Sequence, residues 1–184
     1  YVLFVLSKDY EKLKVQSSKF KVRIADIRWH TIEEQLKLPQ ILNRENLDLV
    51  HFPYFSVPIF YNRPFVVTIH DLILHHFPTG LASTLPLPIY KLKLSAYKFV
   101  IKQAAKKAKK IITVSNATKE EIIDHLGVSP QKVVVTYEGA TIDEKLKIKN
   151  EKSPVSQRGE KLKIKNYFLY VGNAYPHKNL ERLI

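Results

Sequence analysis

His70 and Asp71 follow the apolar, β-branched run Phe65-Val66-Val67-Thr68-Ile69. An imidazole at the carboxyl end of a buried parallel strand faces the ligand crevice, where it can donate to a phosphate or a hydroxyl near neutral pH. The competing reading is a histidine bonded to nearby backbone, with Asp71 only capping or orienting. His75 and His76 lie a few residues on. The pattern HDxxxHH is not a metal-ligand spacing, and no cysteine or carboxylate cluster accompanies it, so no metal is expected.

Three further stretches sit where strands should end. In Val114-Ser115-Asn116-Ala117-Thr118-Lys119-Glu120-Glu121 a strand hands over to a helix, with Ser115 or Asn116 offered as N-cap. Capping is a sufficient account of Ser115 and Thr118, although at the same sheet edge as His70 their hydroxyls could also meet substrate oxygens. Thr136-Tyr137-Glu138-Gly139 is a strand end turning out of the sheet. Near the end of the chain, Tyr167-Phe168-Leu169-Tyr170-Val171 breaks at Gly172, and helical spacing restarts at Lys178. A strand feeding a helix through a glycine turn aims backbone N–H groups and a partial positive charge at one spot, an anion site to which Lys178 would add a full charge.

The elements that must position these residues alternate. Tyr1 to Leu6 and Phe20 to Ile24 read as strands, and Thr31 to Leu42 as a helix capped by Thr31 with Glu34 three residues on. Leu47 to Phe52, Phe65 to Ile69, Lys110 to Val114 and Lys132 to Thr136 read as buried strands. Pro88 to Lys110 contains the longest helix, with Tyr90, Leu94, Tyr97, Ile101, Ala104 and Ala108 on one stripe and lysines opposite. Asn116 to Leu126 is a helix stopped by Gly127. Strands alternating with helices imply an α/β fold with a parallel, doubly wound, Rossmann-like sheet.

Composition narrows the class. With 45% hydrophobic residues the chain can bury one sizeable core. It has no cysteine, which excludes a disulfide framework and fits a reducing cytoplasm, and no methionine, not even at position 1. The expectation is therefore a piece of a larger protein. Tyr1 to Leu6 is too short for a membrane span and lacks the flanks of a signal peptide, so a core strand is expected there. Lysine and arginine number 30 against 17 acidic residues, a net charge of +13 that suits nucleic acid, an anionic membrane surface or phosphorylated ligands. Nucleic acid ranks last of the three, because no helix-turn-helix, zinc-finger or RNP signature is present and the lysines are not interleaved with aromatics.

Glu-Lys-Leu-Lys-Ile-Lys-Asn occurs at residues 144–150 and recurs identically at 160–166. The alternating pattern would suit a small hairpin, but a charged linker is the simpler reading. Residues 1–140 are accordingly expected to form one domain, 141–166 a linker, and 167–184 the first strand and helix of a second Rossmann-like domain.

Taken in order, Thr68-Ile69-His70-Asp71-Leu72, the segment from Ile112 to Ile122, the segment from Lys132 to Ala140 and the segment from Tyr170 to Leu180 resemble the group 1 (family 4) retaining glycosyltransferases of GT-B fold. The likeness spans Leu47 to Ile184 and is weak before that. It implies two Rossmann-like domains with catalysis in the cleft, the acceptor bound mainly by the first and a nucleotide-diphosphate sugar mainly by the second.

By the same resemblance, His70 lies by the donor sugar as a catalytic residue, and Lys178, Asn173 and Gly172 bind the donor diphosphate. Asp71, Ser115, Thr118, Glu138 and Gly139 are candidate substrate contacts. Where the family most often has a second diphosphate-clamping arginine this chain has Asn173, so more of that load would fall on Lys178. The implied enzyme is a hexosyltransferase, with mannosyl transfer one candidate, acting on a glycan or lipid-linked acceptor without a metal. A cytoplasmic location at the inner face of a membrane would follow, with an anionic membrane surface as a candidate partner and no nucleic acid. The family's glycine-rich loop would precede Tyr1 and its distal acidic motif would follow Ile184, so these residues alone are expected to be inactive. The alternative from another class is a non-catalytic Rossmann-like module that binds an anion or nucleotide.

Overall fold

Phe52, Val67, Ile111 and Val133 stand side by side across four parallel strands, and all four are buried. They belong to β3 (Val50–Phe52), β4 (Phe65–Thr68), β5 (Lys110–Thr113) and β6 (Val133–Val135), which form one sheet in the order β3-β4-β5-β6. These relations come from a computed structural model that describes residues 1–16, 20–80, 83, 85–139, 170–172, 175 and 178–182.

Each crossover in this sheet advances in the same direction. Right-handed connections then place α4 (Leu87–Lys107) and α5 (Asn116–Leu126) on one face. Both pack into a single core, α4 through Ile101, Ala104 and Ala105, and α5 through Ile122 and Leu126. The alanines let α4 lie close to the strands. On the other side of the sheet the burial is weaker: His51 and Val134 are exposed, and Val66 and Ile112 are half-buried. The sequence predicts a helix from Pro88 to Lys110, and α4 does begin as prolines allow, with Pro86 as its cap and Pro88 in a first turn that needs no N–H. Its first half is packed only through Tyr90, Leu94, Tyr97 and Val100, while Leu87, Ile89, Leu92 and Phe99 are exposed.

The remaining elements depart from the expected pattern in three ways. First, β1 (Val2–Val5) and β2 (Lys21–Ile24) pair in parallel with each other, so the strands form two hydrogen-bonded sheets rather than one. Leu47 to Leu49 do not extend β3, and a strand of only three residues offers little ladder; Phe4 of β1 joins the core by packing. Second, a helix that the local sequence does not announce, α1 (Ser7–Gln16), follows β1. Its start is held from a distance: Asp26 Oδ1 accepts from Ser7 N–H at 2.7 Å, and Asp26 Oδ2 accepts from the Ser7 hydroxyl. Those two bonds hold the Asp26 carboxyl below its ordinary range.

Third, the expected strand and helix near the end of the chain differ. The chain divides into two compact units, Tyr1–Tyr137 and Glu138–Ile184. In the second, Tyr170 and Val171 lie in no strand, and Leu180–Arg182 form a single 3-10 turn instead of an α-helix. The proposed linker, 141–166, and residues 167–169 fall outside the described residues.

Two helices complete the first unit. α2 (Ile32–Arg44) starts at Thr31, whose hydroxyl accepts from Glu34 N–H at 3.2 Å. α3 (Ile73–His76) is a single turn after β4.

Candidate active site

The carboxyl ends of β4 and β5 lie next to each other, and His70 and Ser115 follow them. The ladder runs one residue past β4, where Ile69 N–H donates to Ile112 O at 2.9 Å. Ile69 and Leu72 are both buried to within 1% of their surface, so the chain is pinned on either side of His70 and Asp71. The pair is thereby displayed at the sheet edge, His70 half-buried and Asp71 exposed.

Asp71 Oδ1 accepts from Ile73 N–H at 3.0 Å, a turn that starts α3. The first turn of α5 meets this loop. Ser115 has extended backbone and its Oγ accepts from Thr118 N–H at 3.1 Å, which makes Ser115 the N-cap. Its Oγ is also 3.0 Å from Thr118 Oγ1, and Thr118 Oγ1 in turn donates to the His70 carbonyl at 3.4 Å. The four expected residues His70, Asp71, Ser115 and Thr118 are thus brought to one rim, with the two hydroxyls engaged in holding helix and loop. Across the next pair of strand ends, Asn116 Nδ2 donates to the Tyr137 hydroxyl at 3.0 Å.

Aromatic side chains that the sequence reading passed over line the same rim. Tyr54 and Phe55 follow β3 after Pro53, and the Tyr54 ring lies 6.3 Å from that of His70. Phe55 packs edge-on against Tyr97 of α4 at 4.9 Å. The signal was present as Pro53-Tyr54-Phe55 at a strand end, the position at which α/β sheets place ligand contacts. Burial, then the Asp71 charge, raises the Tyr54 phenol above its ordinary value. The same causes, with Tyr54 added, push Tyr97 well above the phenol range. Both hydroxyls therefore stay protonated at neutral pH. The Tyr97 hydroxyl is 3.2 Å from His75 Nδ1.

His75, His76 and His125 form a ring cluster with centroids 5.6 Å (His75 to His125) and 4.9 Å (His76 to His125) apart, and His76 Nε2 is 3.3 Å from a Glu121 carboxylate oxygen. Among the described residues no group of three or more His, Cys, Asp or Glu has an arrangement able to hold a metal ion.

In the second unit, Gly172 has φ of +152°, a backbone conformation that favours glycine, and a Cβ placed there would come within 2.8 Å of the Tyr170 hydroxyl, the far end of a side chain that can move aside. Gly139 is different: a Cβ there would meet nothing within 4 Å. Glu138 and Lys178 are exposed, and Lys178 N–H donates to Tyr175 O at 2.8 Å. Asn173 lies outside the described residues.

A parallel α/β sheet displaying a histidine and an aspartate beyond one strand, beside the capped N-terminus of the next helix, defines the first unit as Rossmann-like. Residues 7–144 match the Glycosyltransferase Family 4 model, and the chain belongs to that family. It is also similar to the O-antigen chain mannosyltransferase RfbU of Salmonella typhimurium, with 26% identity over 162 residues that cover 88% of this chain. It spans 39% of the length of that relative.

Proposed function

We propose that the full-length protein is a retaining glycosyltransferase that moves a hexosyl group from a nucleotide-diphosphate sugar to a glycan or lipid-linked acceptor. The observation that carries this reading is His70, held at the end of β4 by buried Ile69 and Leu72 and tied to α5 by Thr118, in a chain of a glycosyltransferase family. The name of the Salmonella relative favours mannose as the sugar.

In this reading His70 serves the charge that develops as the sugar leaves, and Asp71 orients the loop. Lys178, with Gly172 and Asn173, binds the departing diphosphate, whose growing negative charge a preorganised cation stabilises without need of a metal. Ser115 and Thr118 keep the loop in place, and Glu138 and Gly139 contribute to the substrate side. Residues 1–140 act as the acceptor domain, 141–166 as a linker, and 167–184 open the donor domain.

The expected location is the cytoplasmic face of a membrane, reached through anionic lipid and not through nucleic acid. Among the described residues no helix is long and apolar enough to cross a membrane. The lysines of α4, with exposed Leu92 and Phe99 among them, support contact with its surface.

The test uses the full-length protein with nucleotide-sugar donors. His70→Ala should lower turnover more than it weakens nucleotide binding, since its contribution is made in the transition state. Lys178→Ala should weaken nucleoside-diphosphate binding by about 1.5 to 3 kcal/mol, and chelator should change neither. Unaltered nucleotide binding by Lys178→Ala, or loss of turnover on chelation, would remove the diphosphate role. Anion binding with no transfer from any donor would instead leave the non-catalytic module.

A further inference from the structure

We propose that Tyr54, flanked by His30, is a stacking platform for a pyranose ring beside His70, and that Glu34 is the residue that positions it. This rests on the glycosyl-transfer reading above and assigns a ligand contact that the sequence motifs do not.

Three loops converge at the platform: the one after β2 brings His30, the one after β3 brings Tyr54 and Phe55, and the one after β4 brings His70. The rings of His30 and Tyr54 are 5.9 Å apart and near perpendicular at 73°, and those of Tyr54 and Phe55 are 4.3 Å apart. Phe55 is the anchor, half-buried between the core, Tyr97 and the His30 ring at 5.7 Å. Tyr54 is the outward member, 45% exposed, with its ring tilted 37° to that of His70. Asp71, the exposed residue next to His70, gives this aromatic surface an acidic edge.

An exposed aromatic face with a polar edge matches the chemistry of a pyranose, which carries C–H bonds on one face and hydroxyls around its rim. The face covers aromatic surface that otherwise stays in water, and the rim donates to carboxylate and imidazole.

Glu34 explains why the platform is fixed. It is 4% exposed, and a buried carboxylate is tolerated only when donors satisfy it. Its spacing from Thr31 suggests a capping box, in which it would return to the cap residue's own N–H. Instead Oε2 accepts from His30 N–H at 2.9 Å and from Ser56 Oγ at 2.8 Å. One carboxylate therefore staples the β2 loop to the β3 loop, each carrying part of the aromatic surface. It also holds His30 at φ of +59°, a left-handed conformation that a non-glycine residue keeps only when its surroundings impose it.

The pyranose could be the acceptor sugar or the sugar of the donor, and the experiment separates them. Binding to the full-length protein is measured by saturation-transfer NMR with methyl α-D-mannopyranoside, methyl α-D-glucopyranoside, a nucleotide-sugar and the bare nucleoside diphosphate, with kinetics in parallel. Tyr54→Ala should weaken binding of at least one methyl pyranoside, or of the nucleotide-sugar relative to its diphosphate, by about tenfold as the stacked area is lost. The former assigns the platform to the acceptor and the latter to the donor. Tyr54→Phe should stay within about threefold of the parent, because the ring face and not the hydroxyl makes the contact. Glu34→Gln should raise the KM of that same sugar substrate with kcat little changed, while nucleoside-diphosphate binding holds. Parent-like sugar binding by Tyr54→Ala, or a Tyr54→Phe variant as weak as Tyr54→Ala, overturns the platform while leaving glycosyl transfer standing. A parent protein that binds no nucleoside diphosphate overturns the transfer reading itself.

Discussion

The Thr118 hydroxyl lies 3.4 Å from the His70 carbonyl oxygen, joining the first turn of α5 to the loop that ends β4. The cap that orders this turn is Ser115, and its removal should be felt in stability before it is felt in chemistry. Ser115→Ala is expected to cost about 1 kcal/mol, read as a lowered urea midpoint, whereas Ser115→Asp should hold the parent value. Equal midpoints for Ser115→Ala and the parent would mean that this cap does not order α5.

At the other end of α5, Gly127 sits at φ of +64° and donates its N–H to Ile123 O at 3.0 Å. A Cβ there would meet nothing within 4 Å, so the only penalty for a side chain is conformational. Gly127→Ala should destabilise by about 1 kcal/mol and Gly127→Asn by less. Thermal melts of both variants decide it; the reverse ranking would contradict the left-handed cap.

Tyr61 is 1% exposed, and its hydroxyl finds no hydrogen-bond partner among the described residues. Burial raises its phenol above the ordinary value. Tyr61→Phe removes an unsatisfied group and leaves the ring, which packs edge-on against Phe52, in place. A gain of about 1 kcal/mol is expected in denaturant unfolding. A loss of similar size would reveal a partner for the hydroxyl.

His75 is held below the ordinary histidine value of 6.5, first by burial and then by Lys98, His125 and His76. Facing it are the Tyr97 hydroxyl from α4, the charge of Lys98, His125 of α5, and His76, which is itself paired with Glu121 of α5. Because the folded state disfavours the proton, the unfolded chain binds more of it just below the ordinary value. Stability is then complete above that value and declines as pH falls through it. Unfolding midpoints at about pH 7.5 and about pH 5.5 should differ, and His75→Gln should reduce the difference. A His75→Gln profile as steep as the parent's would place the effect elsewhere.

On α4, Lys91, Lys98 and Leu92, Phe99 are two seven-residue pairs on adjoining stripes, all exposed. Each lysine near an anionic surface is worth about 1 kcal/mol. Vesicles containing anionic lipid should sediment the full-length protein, and Lys91→Glu with Lys98→Glu should release it at moderate salt. Equal binding to neutral vesicles would exclude the electrostatic contact.

Features set by neighbours in sequence were the legible ones. Thr31 and Gly127 announce helix ends through bonds three or four residues long, and Phe65 to Thr68 announces a strand through its own composition. His70 could be placed at a sheet edge because a strand end says so. The carboxylate that starts α1 is Asp26, far along the chain from Ser7, and no local pattern carries that information. Glu34 shows the same limit in reverse: its spacing from Thr31 was read correctly for the helix start, yet its carboxylate bonds His30 and Ser56. Leu47 to Leu49 have the residues of a strand and do not form one, because a ladder depends on what lies alongside.

The order β3-β4-β5-β6 also bears on how the sheet is made. Each new strand pairs with the one synthesised just before it, so no strand must wait for a later part of the chain before it can bond. The widest interval, between β4 and β5, contains α4, a helix whose contacts are local and quick to form. Growth from the ribosome and growth of the sheet therefore run in the same direction, and the edge that bears His70 is complete as soon as α5 has emerged.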